Sequence, residues 1–348
     1  MELVFEKVTE KVRFRSPLLN MEEVEHVIER RRDPLTGRWA LGSDGLKGKG
    51  AFFFGPTDEK LLADLAAQSR ENCFFCPENL ASTTPRYLDE WLEGGWLQTG
   101  DATLIPNLFP LSAVHAVVVL GSKHMRRLDD FPPDLLADGL AASVRFTRSV
   151  HAADAANSWF TINANYLFPA GASIVHPHLQ VFGGRYPATA SSQLQADCQR
   201  FADQHGRPYF DQLIAKEQDL DQRYVTQCGP VHWLAPFAPL GTNEMLGILP
   251  EVRHLNQLDS AALFHLAEGI SKILAYYHKM GFSTFNFSIY SAPVDADESS
   301  FPVLIRLICR QNVHANYRTD DYFIQKLLGE EIVLTPPEDL ARGLRAFW

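Results

Sequence analysis

The feature that most constrains the fold is an internal echo. Residues 104–130, LIPNLFPLSAVHAVVVLGSKHMRRLDD, return in diverged form at 233–259, WLAPFAPLGTNEMLGILPEVRHLNQLD. Each copy has a proline-punctuated apolar segment, a short apolar run suited to a buried strand, a basic-His pair (Lys123-His124, Arg253-His254) and a Leu before Asp. The segment PDLLADGLAASVRFTRSV predicts a helix over about 133–150, with Pro in its first turn and apolar residues at helical spacing, and 260–280 is its counterpart. WFTINANYLFP (159–169) and TFNFSIYSAP (284–293) then match as strands. The chain therefore reads as a tandem duplication of a βαβ-containing unit.

Where the copies differ is where chemistry is concentrated. In GASIVHPHLQVFGG (171–184), a strand-like stretch, His176, His178 and Gln180 fall two apart, so alternation puts all three on one face. A single histidine there could be a satisfied core residue, but each of three polar groups left unpaired costs about 1–3 kcal/mol. The corresponding segment of the second copy, FPVLIRLICR (301–310), has no histidine, so only the first copy retains that chemistry. A neutral imidazole whose far nitrogen is hydrogen-bonded to a carbonyl presents its other nitrogen as a nucleophile. Gln180 offers an amide N–H to a phosphoryl oxygen.

Upstream, Cys73 and Cys76 form a Cys-x-x-Cys pair in ENCFFCPEN. Two such thiolates can share one metal, and a redox pair is the alternative, although no thioredoxin-like βα context surrounds them. Tetrahedral zinc needs two more ligands, and the candidates are His124, at the end of the VVVL strand, and either His176 or His178.

Composition bounds the class of protein. The chain has 348 residues, 46% hydrophobic and 21% charged, with no apolar run of the roughly 20 residues a membrane helix needs. Its first residues, MELVFEKVTEKVRFR, lack a signal-peptide pattern, and a cytoplasmic protein is expected. A net charge of −10 argues against a broad nucleic-acid surface and for small substrates. Five cysteines, an odd number, do not make a disulfide framework. Arg30, Arg31 and Arg32 read as a solvated face before a turn at DPLTGRW, and ALGSDGLKGKG (40–50) reads as a Gly/Lys loop.

Taken together, RRDPLTGRW, CFFCPEN, IPNLFPL, the strand leading to SKH, and NANYLFPAGASIVHPHLQ resemble the galactose-1-phosphate uridylyltransferase family, the transferase branch of the histidine-triad superfamily. The motifs fall in order across about residues 29–182, and the second half matches as a weaker echo. The resemblance implies an α+β fold of two histidine-triad-like halves, 1–190 and 191–348, whose antiparallel sheets pack or join with helices on one side. It also implies nucleotidyl transfer by a ping-pong route, with His178 the nucleophile on the α-phosphorus of a nucleotide sugar. Cys73, Cys76, His124 and His176 would hold a structural zinc ion. Asn165, Ser173 and Gln180 would contact phosphoryl groups, Asn107 the nucleoside, and Lys47 and Lys49 the phosphates. A homodimer with the active site near the interface is the family expectation.

This sequence departs from the family pattern at several positions. Leu179 and Leu167 stand where the uridylyltransferases usually carry Gly, and Lys47 and Lys49 replace a pair of arginines. Tyr290 and LIRLICR replace an additional His-rich metal site. The acceptor could thus be a sugar 1-phosphate or, as in a phosphorylase splitting ADP-glucose or a dinucleoside polyphosphate, inorganic phosphate. A zinc-stabilised nucleotide-binding pseudoenzyme is the non-catalytic alternative, against which the intact His178 and Gln180 argue. Short histidine-triad hydrolases usually have a third His where Gln180 stands, which favours transfer over hydrolysis.

Overall fold

A turn held by Asp33 shapes the start of the chain. Its Oδ1 accepts the backbone N–H groups of Leu35 and Thr36 and the Thr36 hydroxyl, and Gly37 takes the left-handed conformation (φ 74°) that closes the turn. Around it lie the hairpin strands β1 (Glu6–Ser16) and β2 (Glu22–Arg32), then β3 (Trp39–Ser43). ALGS, the first part of the stretch expected as loop, is thus strand: it pairs with β2. The computed structural model describes residues 3–46, 48–297, 299–317 and 319–348, and at Ala51 the backbone only.

Ten further strands form one antiparallel sheet: β4 (Leu97–Thr99), β5 (Ala102–Pro106), β6 (Val114–Leu120), β7 (Trp159–Tyr166), β8 (His178–Gly184), β9 (Tyr224–Cys228), β10 (Val231–Leu234), β11 (Met245–Leu249), β12 (Phe285–Tyr290) and β13 (Val303–Cys309). Their spatial order is β4-β5-β6-β8-β7-β12-β13-β11-β10-β9. Each set of five has the same order counted from the centre, where β7 pairs with β12, Asn165 opposite Asn286. The sequence echo is therefore visible as two equivalent sets joined edge to edge. A last strand, β14 (Glu331–Val333), pairs in parallel with β3.

The helices are α1 (Gly50–Phe54), α2 (Glu59–Arg70), α3 (Pro77–Thr83), α4 (Pro133–Ala153), α5 (Thr189–His205), α6 (Tyr209–Leu220), α7 (Ser260–Lys279) and α8 (Pro337–Arg345). The two helices expected from the echo are α4 and α7, which pack together over one face of the sheet. Alternation along the strands divides the core accordingly. Val118, Leu120, Leu179, Val181, Met245 and Leu249 face α4 and α7. Leu234, Leu246, Ile248 and Leu304 face the other way, against Phe201 of α5 and Phe210 and Leu213 of α6. Helices thus cover both faces rather than one, and the polar stretch around residue 190, where the two halves were expected to divide, forms α5. Among the described residues no helix is long and apolar enough to cross a membrane.

Leu179 also finds its explanation here. A Cβ at Gly139 of α4 would lie 2.4 Å from Leu120 Cδ2 and 3.2 Å from Leu179 Cδ1, so the helix brings a bare backbone to the place where Leu179 needs room. Arg31 is not a solvated residue. It is buried, ion-paired with Glu29 and with Glu338 of α8, which also pairs with the buried Arg223.

Candidate active site and metal centre

The segment between α2 and α3 carries the Cys-x-x-Cys pair, with Cys76 as the residue before the first turn of α3. Pro77 at the first helical position suits that start, because no N–H is needed there. Both thiols are buried against Ile105, Val117 and Val119, on the sheet face opposite α4. His124 reaches them from the loop after β6, which ends at Leu120, four residues earlier than a strand running to SKH would. His176 reaches them from the turn before β8; the strand begins at His178, so only His178 and Gln180 lie within it.

Ligand atoms from Cys73, Cys76, His124 and His176 lie within 4.8 Å of one another. Cys76 Sγ is 3.4 Å from His124 Nδ1 and 3.7 Å from His176 Nδ1, and Cys73 Sγ is 3.9 Å from His176 Nδ1. Tetrahedral zinc with its usual bond lengths has ligand-to-ligand edges of about 3.3–3.8 Å, close to these spacings. The tautomers agree too. His176 Nε2 is 2.9 Å from the Gly121 carbonyl, which can only accept, so the proton is on Nε2 and Nδ1 is free. His124 Nε2 is 2.9 Å from Ser69 Oγ, itself bonded to the Ala66 carbonyl, which leaves its Nδ1 free in the same way. Burial, with Cys73 adding to it, holds the Cys76 thiol up at about 11, and burial pushes His176 down to about 4. Two buried thiols and two neutral imidazoles facing one point fit a bound divalent cation.

His178 stands directly beside this cluster. Its Nδ1–H donates to the His176 carbonyl, 2.8 Å away, leaving Nε2 with a free lone pair. The Phe75 ring packs edge-on against it at 5.4 Å. Burial pushes its pKa below the ordinary imidazole range, so the ring is neutral at pH 7.

Gln180 is oriented by a residue that sequence analysis missed. His115 of β6 accepts the Leu111 N–H at Nδ1, so its Nε2 carries the proton and donates to Gln180 Oε1 at 2.9 Å. The amide N–H₂ of Gln180 is thereby turned the other way. The Asn107 side chain lies 3.1 Å from the same Nε2, its Oδ1 held by the Phe109 N–H. The signal was present: His115, Val117 and Val119 alternate on the face that opposes His178 and Gln180 across the β6–β8 ladder.

Asn165 joins the site through register. Asn163 pairs with Gln180 across β7 and β8, and the same register extended by two residues sets Asn165 opposite His178. The second half fixes its amide: Asp320 grips Arg310 through two hydrogen bonds, Arg310 donates to Asn286 Oδ1 at 2.6 Å, and Asn286 donates to Asn165 Oδ1 at 2.7 Å. Leu167 has φ 63° and ψ 163°, a conformation nearly restricted to glycine, at a strain of about 1–3 kcal/mol. It is nonetheless buried, lining a cavity of about 360 Å³ with Arg126, Arg127, Leu128 and Phe282. None of the candidate catalytic or metal residues lines that cavity.

The remaining expected residues are not drawn in. Ser173 is exposed in the turn before β8, Lys49 is exposed ahead of α1, and no hydrogen bond ties either to His178 among the described residues. Lys47 lies outside the described residues.

No family model matches the chain. An uncharacterized protein of Archaeoglobus fulgidus is 30% identical over 324 residues, 93% of each chain. The chain belongs to one family with that archaeal protein, and its fold is GalT-like. The fold likeness is to a GalT-like protein from Arabidopsis thaliana (TM-score 0.67, 19% identity, 91% of this chain and 98% of that one). An ADP-glucose phosphorylase from the same plant with bound ADP-glucose gives the same values, and a uridylyltransferase gives 0.64 at 18% identity, again over 91% and 98%. This bears out the fold that the resemblance implied and the α+β class expected from the motifs.

Proposed function

We propose that this chain is a nucleotidyltransferase that works through a covalent nucleotidyl-His178. His178 Nε2 attacks the α-phosphorus of a nucleotide sugar; the N–P bond forms as the bond from phosphorus to the bridging oxygen breaks, and a sugar 1-phosphate leaves. A phosphate oxygen of the acceptor then attacks the same phosphorus, breaking the N–P bond and regenerating neutral His178. The observation that carries this reading is the 2.8 Å hydrogen bond from His178 Nδ1 to the His176 carbonyl, which aims the ring and makes Nε2 the nucleophilic nitrogen. Gln180, oriented by His115, and Asn165, oriented through Asn286, supply amide donors to the phosphoryl oxygens.

In the same reading Cys73, Cys76, His124 and His176 hold a zinc ion with no position left for substrate, and its contribution when bound is to pin the turn that carries His176 and His178. Residues 1–190 carry the chemistry, while 191–348, with Leu304 at the place of His178, brace it. A homodimer is supported by the exposed Val8, Val12 and Phe14 of the β1–β2 hairpin.

The test is intact-protein mass after brief mixing with UDP-glucose, UDP-galactose, ADP-glucose, GDP-sugars or a dinucleoside tetraphosphate, without acceptor. The expected result is a nucleotide-sized adduct from one donor, removed by adding an acceptor; whether a sugar 1-phosphate or inorganic phosphate removes it names the reaction. Absence of an adduct with every donor, in folded protein, rejects covalent transfer and leaves nucleotide binding as the function.

A further inference from the structure

Away from the zinc cluster a second set of metal-binding side chains converges on the outer edge of the sheet. Cys228 ends β9, the edge strand of the second half, while His265 and Glu268 lie one turn apart on α7. Cys228 Sγ is 2.8 Å from Glu268 Oε2 and 3.7 Å from His265 Nδ1, and the latter two atoms are 3.5 Å apart. One thiolate, one imidazole and one carboxylate thus present three ligand atoms to a common point from two separate elements. The two spacings to His265 Nδ1 are those of adjacent ligands on a tetrahedral ion, while the 2.8 Å contact is the Cys228 thiol donating to the Glu268 carboxylate, a proton that a bound cation would replace.

The chain is built around this arrangement. The tight turn from β9 to β10 passes over the imidazole, and a Cβ on Gly229 would lie 2.2 Å from His265 Cδ2. Gly229 also has φ 53°, so both its conformation and the closeness of the ring demand glycine. The turn therefore rests directly on the side chain that would be a ligand. All three residues are partly exposed, so an ion can reach them from solvent without unfolding the protein.

We propose that Cys228, His265 and Glu268 form a second site for a transition-metal cation of the zinc class, clamping the edge hairpin β9–β10 to α7 and leaving a fourth position for water. The thiolate and imidazole select against magnesium and calcium, which prefer oxygen ligands. The site is independent of His178 and of the reaction assigned above.

Cobalt(II) titration of the purified, folded protein tests it, because a Co²⁺–thiolate bond gives a charge-transfer absorption that a carboxylate or imidazole does not. Wild type should take up one more equivalent of Co²⁺ than Cys228→Ala, with a difference spectrum showing one thiolate-to-cobalt band. His265→Ala, which keeps the thiol and lies on a half-exposed helix surface, should weaken that uptake at least tenfold. Magnesium at the same concentration should not compete. Equal stoichiometry and equal spectra in wild type and either folded variant would overturn the proposal, showing that the cluster is only a thiol donating to a carboxylate.

Discussion

His178 donates its Nδ1 proton to the carbonyl of His176, the residue whose own ring faces Cys73 and Cys76. One turn of backbone therefore couples the Cys–His cluster to the aim of the His178 ring. Replacing His178 by Gly or Ala should abolish the nucleotide adduct and lower kcat by at least about a thousandfold, while circular dichroism and zinc content stay as in wild type. A folded variant that still forms the adduct would assign the nucleophile to another residue.

Gln180 depends on His115 in a second way that kinetics can read. His115→Ala removes the donor that fixes Gln180 Oε1, freeing the amide to rotate, so kcat should fall about tenfold, the worth of one oriented hydrogen bond. KM should change less than kcat, and the adduct should still form. His115→Gln, whose amide can donate to the same oxygen, should recover part of the loss. If His115→Ala leaves kcat intact, Gln180 is held by other means or does no work in the reaction.

Removing a ligand of the buried cluster has a different signature. Cys73→Ala leaves Cys76, His124 and His176 facing an incomplete site, so zinc content measured by elemental mass spectrometry should drop by about one ion per chain relative to wild type. Stability should fall by at least about 3 kcal/mol, since binding to a preformed site is folding free energy. Thermal unfolding with and without a chelator measures both effects. Zinc retained by the folded variant at the wild-type level would mean that these four residues are not its site.

The parts of the site legible in the sequence are those that chemistry holds at fixed local spacing: the two cysteines three apart, and His176, His178 and Gln180 at two-residue intervals. His115 was hidden inside an apolar run, where one polar residue among valines reads as strand. Asn286, Arg310 and Asp320 act on Asn165 only because β7 and β12 pair in one particular register, a long-range fact with no local trace. Arg31 looked solvated because its partner Glu338 lies 307 residues away in α8. The edge-on joining of the two sets of strands was one of two arrangements that the duplication allowed, and the Asn165–Asn286 pairing is what the chosen one provides to the site.

Glu331 gives the chain a pH dependence that can be isolated. It is buried at the start of β14, where it accepts from Gln325 Nε2 and the Ile332 N–H, and burial raises its pKa to about 7 despite those bonds. Between the ordinary carboxyl value of 4.5 and about 7 the folded protein keeps this proton and the unfolded chain does not. Stability from this residue is therefore fully present below pH 4.5, is lost as pH rises through that window, and changes little above it. Glu331→Gln keeps an oxygen to accept the same two bonds but never ionises. The variant should match wild type near pH 4.5 and exceed it at pH 8 by up to about 3 kcal/mol. Denaturant unfolding of both proteins at the two pH values reads the difference, in which every other titration cancels; a gap that does not widen with pH would show that Glu331 is already ionised in the folded protein.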